Sequence, residues 1–396
     1  MFKEKIGLIP RYNWDYGVSD LTKALTAAFR PPLDTKETLE GIFGLKPIFT
    51  TSGRTSLYAI LKSLNIAEGS DIGVPLFCCP VVFDAIKQAN LVPRFIDINS
   101  DDYNLSASDL GKKKDSLSAI IAVHMFGHPA DMDSINGVSG EIPVIEDCAQ
   151  SLFSKYKDQY TGTLSDVSFF SFRSGKYISA GEGSAIFCRE PSLYESIGKM
   201  IGKLEIRNLT QEILHCTATY AKSTLYKRPW YGTIGYPIGM RVDRKLNLTA
   251  KSGFNFSQIA KTDLRIINNR MGTFFEKVKK QKENALYLLK NIRMENVVLP
   301  LEKDNCWSNY YQFVIRFKTT EKRDFMADYL FKRGIDTAKY LDEVIEVAKE
   351  NYDYSGDCPN SELCSKTVLV IPNHYTLSRK DLDHIVHCVN DGLGCL

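Results

Sequence analysis

Short apolar runs alternate with amphipathic stretches over the first half of the chain, and that alternation lays out the elements. Ala119 to Val123 is apolar without interruption, and Ile142 to Ile145 and Val167 to Phe172 have strand character. Leu57, Ile60, Leu61 and Leu64 recur at the spacing of one helix face, and a helix near Asp20 to Phe29 is stopped by Pro31-Pro32. From Asp71 to Ile98 the order is strand, helix, strand: Ile72 to Pro75, a helical stretch through Ala85 and Ile86, then Pro93 to Ile98. Apolar runs joined by helices in this way predict an α/β fold around a mostly parallel sheet.

The pattern changes further along. A long helical stretch runs to about Asn291, and Leu301 to Trp307 leads into a strand at Tyr311 to Phe317. A helix from Glu321 to Lys332 with Gly334 as its stop follows, then a strand at Thr367 to Ile371 and a last helix from Ser378 to Val389. These make a small α+β unit. The predicted division is a large domain over 1–250 and a C-terminal part over 251–396.

Composition narrows the class without choosing a function. A chain of 396 residues has room for a large core plus a smaller one, and 44% hydrophobic with 24% charged residues is ordinary for a globular protein. A net charge of +3 is too near balance to argue for nucleic acid. The 10 cysteines include no Cys-x-x-Cys; Cys78 and Cys79 are adjacent, and Cys358 and Cys364 have no histidine at zinc-ligand spacing. They read as reduced thiols of a cytoplasmic protein. Met1 to Lys5 lacks the apolar core of a signal peptide, and no run reaches the length of a membrane helix. His124 and His128 stand four apart, but Gly127 and Pro129 break any helix that would align them, so no metal is expected and His124 reads as a packed strand-end residue.

Candidate chemistry gathers where the central runs end. Val144-Ile145-Glu146-Asp147-Cys148-Ala149-Gln150 closes one strand, and Ser168 to Phe172 leads through Arg173-Ser174-Gly175 to Lys176 after another. The turn Gly181-Glu182-Gly183 follows. Polar groups at strand ends of an open α/β sheet lie where such sheets hold ligands. A lysine and a carboxylate so placed suit pyridoxal phosphate (PLP), the lysine forming a Schiff base and the acid partnering the ring nitrogen. Taken alone, Lys176 reads as an ordinary solvated loop lysine. Thr51-Ser52-Gly53-Arg54-Thr55 opens a helix and offers free N–H groups to a phosphate, although Ser52 or Thr55 capping the helix explains the same residues.

Together, Glu146-Asp147-Cys148-Ala149-Gln150, Phe170-Ser171-Phe172 with Lys176, and Gly181-Glu182-Gly183 resemble the motifs of DegT/StrS-type sugar aminotransferases. These belong to the fold type I, aspartate aminotransferase superfamily, and the likeness runs from Ile9-Pro10 to the last helix. It implies PLP as cofactor, Lys176 as Schiff-base lysine and Asp147 as ring-nitrogen partner. It also implies Gln150 at the ring face or hydroxyl, and Ser171 with the turn Ser52, Gly53, Arg54 and Thr55 at the phosphate. Relatives usually carry a small hydroxyl residue where Arg54 stands. They stack an aromatic ring on the cofactor at the slot that falls here on Cys79; Phe77 from a shifted position, or the sulfur itself, is the substitute. The resemblance further implies a nucleotide-linked keto sugar as substrate, glutamate as amino donor, and a homodimer whose partner supplies Asn255 from Gly253-Phe254-Asn255-Phe256.

The stretch over 191–250 is where the likeness is weakest. Basic residues outnumber acids between Lys199 and Lys251, with Tyr220, Tyr226, Trp230, Tyr231 and Tyr236 interleaved. A solvated helical excursion and a substrate-binding element both fit it. Two alternatives accompany the aminotransferase reading. A sugar dehydratase of the same fold carries histidine in place of the lysine, and Lys176 argues against it; a non-catalytic relative would explain the departures at Arg54, Cys79 and Ser184. No Gly-x-Gly-x-x-Gly follows an early strand, against a dinucleotide oxidoreductase.

Overall fold

A computed structural model describes residues 7–31, 36–239 and 256–396. Seven strands make the main sheet: β1 (Pro47–Thr50), β2 (Asp71–Pro75), β3 (Val92–Ile96), β4 (Leu117–Val123), β5 (Val144–Asp147), β6 (Val167–Ser171) and β7 (Ser184–Cys188). Their spatial order is β1-β7-β6-β5-β4-β2-β3. Pairs β2–β3, β2–β4, β4–β5 and β5–β6 are parallel, and only β7 runs against its neighbours β6 and β1. The α/β fold with a mostly parallel sheet is therefore present as the apolar runs imply. The reason shows in β4: Ala119, Ile121 and Val123 enter one buried cluster while Ile120 and Ala122 enter another on the opposite face. A strand covered on both sides has no polar face to alternate with.

The helices that bear on the site are α1 (Val18–Ala28), α2 (Gly53–Ser63), α3 (Val81–Gln88), α4 (Pro191–Gly202), α5 (Leu209–Leu225) and α6 (Lys261–Met271). The helical excursion expected over 191–250 contains α4 and α5, and α5 packs on α1 and α6. Asn208 caps α5: its side chain accepts from Gln211 N at 3.0 Å while the Gln211 side chain accepts from Asn208 N at 2.9 Å.

The long helical stretch is two helices, α6 and α7 (Phe275–Asn291), separated at Gly272 to Phe274. Beyond them lies a four-stranded antiparallel sheet in the spatial order Val297–Val298, Phe313–Phe317, Val368–Ile371, Ala338–Lys339. Helices α7, α8 (Thr320–Phe331) and α9 (Arg379–Leu393) cover it, and Leu288, Phe313, Ile315, Leu330 and Ile385 share its core. Gly334 takes a positive φ of 77° after α8, and Ser378 caps α9 by accepting from Asp381 N. The two units are tied where Cys306–Trp307 pairs with Lys155–Tyr156; within the C-terminal unit the Gln281 amide of α7 donates to the carbonyls of Tyr310 and Tyr311 at 2.9 and 3.0 Å. All 10 cysteines are free thiols.

Parallel strands end together at one edge. Val123, Asp147 and Phe169 stand in one cross-strand row, and Thr50, Ser184 and Ser171 in another. The polar residues following β1, β5 and β6 therefore share one edge of the sheet, although they are far apart in sequence.

Candidate active site

A cavity of about 980 Å³ opens at that edge. Ser52, Gly53, Arg54, Cys79, Asp147, Gln150, Ser171 and Lys176 all line it. One residue expected there, Thr55, does not appear in its wall. Thr55 is buried behind Ser52, its hydroxyl 3.0 Å from Ser52 Oγ and 3.2 Å from Thr51 Oγ1, so it braces the turn instead of facing the cavity. Asn255 lies outside the described residues.

Asp147 is the last residue of β5 and is 7% exposed. One carboxylate oxygen accepts from Ala149 N at 2.9 Å; the other has no partner among the described residues. Burial raises its pKa, opposed by the Ala149 N–H and by the positive charge of Lys176. Lys176 sits on the loop after β6, where Gly175 takes a positive φ of 89°. A Cβ at Gly175 would stand 3.0 Å from Trp14 Nε1 as well, so both conformation and space require glycine. The Lys176 ammonium lies 4.8 Å from the Tyr311 ring centroid, and Tyr311 is held by a 2.9 Å hydrogen bond to Gly175 O. Burial pulls the Lys176 pKa down to about 8 against the pull of Asp147, which raises the fraction of neutral, nucleophilic amine at neutral pH.

Helix α2 starts at Gly53, and the Ser52 hydroxyl accepts from Thr55 N at 3.2 Å. Ser52 is thus both a helix cap and part of the cavity wall. A Cβ at Gly53 would come within 3.3 Å of the Phe169 ring, so the helix start sits close over β6. Behind it, Ser56 Oγ is 2.7 Å from both Thr50 Oγ1 and Ser184 Oγ, a buried hydroxyl chain that pins the turn to β1 and β7 and gives Ser184 its place.

Of the two candidates for the aromatic slot, Cys79 reaches the cavity and Phe77 does not. Phe77 is fully buried against Tyr103, Phe126 and Tyr340 and is absent from the cavity wall, whereas Cys79 lines it as an exposed thiol. Gln150 is fixed on both ends of its amide, accepting from Phe126 N at 3.1 Å and donating to Tyr340 Oη at 3.1 Å. Of the two histidines that suggested a metal, His124 bonds Glu146 at 3.0 Å and His128 bonds Ser308 at 2.9 Å, so they serve different partners.

Four further residues at or beside the site escaped the motif reading. Tyr311 and Tyr340 arrive from the C-terminal unit. His215 of α5 lines the cavity, its Nε2 2.9 and 2.8 Å from the two carboxylate oxygens of Asp263 on α6. Helical spacing of His215, Thr219 and Lys222 was a usable signal for one face of α5. Nothing in the sequence pairs His215 with Asp263.

The residues present fit PLP. A buried carboxylate with one unpartnered oxygen suits a protonated ring nitrogen. A lysine of lowered pKa without a carboxylate bonded to it suits a carbonyl carbon. The first turn of α2, brought close to Ser171 by the absence of a Cβ at Gly53, suits a phosphate.

A family model described as "DegT/DnrJ/EryC1/StrS aminotransferase family" matches residues 45–390. GDP-perosamine synthase of Escherichia coli O157:H7 is 26% identical over 86% of this chain and 84% of its own length. The dTDP-3-amino-3,6-dideoxy-alpha-D-galactopyranose transaminase of Aneurinibacillus thermoaerophilus is 24% identical over 87% of this chain and 84% of its own. Among solved structures, sugar aminotransferase CalS13 from Micromonospora echinospora superposes with a TM-score of 0.78 at 17% identity, covering 97% of this chain and 100% of that one.

Proposed function

The chain belongs to the DegT/DnrJ/EryC1/StrS aminotransferase family, and on that premise we propose that it moves an amino group from glutamate to a keto sugar carried on a nucleotide. It is a PLP-dependent aminotransferase. The observation that carries the reading is one cavity holding a lysine of lowered pKa and a buried, half-satisfied carboxylate. The relatives named GDP-perosamine synthase and dTDP-amino-sugar transaminase support the choice of a nucleotide sugar.

When bound, PLP supplies the electron sink for charge developing at the amine-bearing carbon. Asp147 would hold its ring nitrogen, Ser52, Ser171 and the first N–H groups of α2 its phosphate, and Lys176 its carbonyl carbon. Lys176 Nζ is also the group that takes and returns the proton at the carbon whose amine is moved. Tyr311 keeps that amine over the cavity, and the Gln150–Tyr340 bond joins the two units at its rim.

The direct test is a panel of nucleotide-linked keto sugars incubated with glutamate and the PLP-loaded enzyme, reading 2-oxoglutarate. Release of 2-oxoglutarate with one nucleotide sugar and not with the free sugar supports the reading; none with any of them rejects it. We further propose a homodimer acting in the cytoplasm, where ten free thiols stay reduced, with Asn255 completing the partner's phosphate site. Mixing inactive Lys176→Ala with an inactive Asn255→Ala protein should restore activity in mixed dimers. Verified subunit exchange without recovery rejects the shared site.

A further inference from the structure

Helix α5 turns one polar stripe to the cavity. His215, Thr219 and Lys222 stand at i, i+4 and i+7 and all line it. They meet the Gly181 turn at close range: a Cβ there would lie 2.8 Å from Thr219 Oγ1 and 2.9 Å from His215 Nε2. Arg173, which also lines the cavity, bridges to Gly181 through the backbone, so its side chain starts from the same corner.

The charges at this corner do not balance. Glu182 is engaged by Arg207, and Asp263 by His215. Arg173 and Lys222 have no ion-pair partner among the described residues, and His215 Nδ1 has no hydrogen-bond partner among them. The groups that face His215 are Asp263 from α6, Glu182 from the glycine turn and Arg207 ahead of α5; the nearest is the buried carboxylate, bound through Nε2. Burial works against the imidazolium, but the bond and charge of Asp263 prevail and raise the His215 pKa. An imidazolium held this way presents Nδ1–H as a charged donor.

We propose that His215, Lys222 and Arg173 form an oxyanion subsite in the wall of the cavity, with Thr219 between them and Asp263 as a positioning residue that keeps His215 protonated and aimed. The ligand is an anionic oxygen group carried by a substrate. Resting on the aminotransferase reading, two sources share that chemistry: the diphosphate of an activated sugar, or the distal carboxylate of the amino donor.

Calorimetric titration of the PLP-loaded wild-type enzyme with inorganic pyrophosphate, and separately with glutarate, tests this without turnover. One anion binds at pH 6.5 and identifies the source. His215→Gln and Lys222→Met each weaken that binding about tenfold, the value of one charge-assisted hydrogen bond, and leave the absorbance of bound PLP unchanged. Asp263→Asn shifts the loss of binding to lower pH, which a purely structural role would not do. Binding of neither anion to the wild type, or equal binding by wild type and Lys222→Met, overturns the subsite. Lys222 is exposed and carries the test if the His215 variant fails to fold. Failure of the nucleotide-sugar panel leaves this result standing, because neither probe is a substrate.

Discussion

Two of the histidine–carboxylate pairs among the described residues, both away from the exposed surface, are of nearly equal length and behave as opposites. His124 and Glu146 lie 3.0 Å apart beside Asp147 in the sheet, both fully buried. His124 Nδ1 accepts from Ala130 N at 2.9 Å, so Nε2 carries the proton to Glu146. Glu146 also accepts from Gly162 N, Leu164 N, and the Ser165 N–H and hydroxyl; burial pushes its pKa up, but the bond and charge of His124 and then the loop N–H bonds hold it down. His215 and Asp263 meet at 2.8 Å, but among the described residues Asp263 accepts beyond His215 only a 3.3 Å bond from Glu182 N, and burial pushes its pKa up to about 6. What separates the pairs is the number of donors on the carboxylate. A saturated acid fastens the loop over 162–165 to the strand that presents Asp147; an under-coordinated one leaves its histidine open to the cavity.

On the proposed assignment the central proton transfer belongs to Lys176 and to neither pair, and Lys176→Ala tests that with the largest expected effect. Turnover should fall at least about 10²–10⁴-fold, the contribution of a placed acid–base group, with little change in thermal midpoint. A midpoint loss as large as that of a Glu146 variant would place Lys176 in the scaffold instead.

Glu146→Gln should be the largest stability change, about 3–5 kcal/mol in chemical denaturation, because an amide cannot accept from all its donors. Its pH dependence has a definite sign. A lowered carboxylate pKa stabilises the fold above its ordinary value of 4.5 and loses that effect as pH falls through the folded value, so the gap from wild type should close in acid.

His215→Gln should cost less, about 1 kcal/mol, and run the other way. A raised histidine pKa contributes fully below 6.5 and is lost as pH rises through the folded value, so this gap should close in alkali. Matching pH trends in the two variants would erase the contrast between the pairs. The smallest effect is kinetic: covalent capture of added PLP by the apoenzyme should rise up to pH about 8 and level off above it, measured by absorbance.

The motif residues were legible because their placement is local. Asp147 ends a short apolar run, Ser171 ends another, Lys176 follows five residues on, and Ser52-Gly53 precedes an amphipathic helix, so strand ends and a helix start bring them to one edge. Other assignments needed neighbours that no local pattern supplies. Phe77 and Cys79 lie on the same short loop, and which one faces the cavity is decided by the room for a ring among Tyr103, Phe126 and Tyr340.

By itself the sequence determined the α/β fold, since periodicity and turns act over a few residues, and its motifs carried the family and the placing of polar groups at the strand ends. Only the tertiary structure decided what surrounds that chemistry. Tyr311 comes under Lys176 from far along the chain, 136 positions from Gly175, the residue its hydroxyl binds. His215 meets Asp263 across 48 positions because α5 and α6 pack side by side. Pairings of that range are set by how helices and sheets bury their apolar faces against each other, and a polar residue's partner is settled only when that packing is complete.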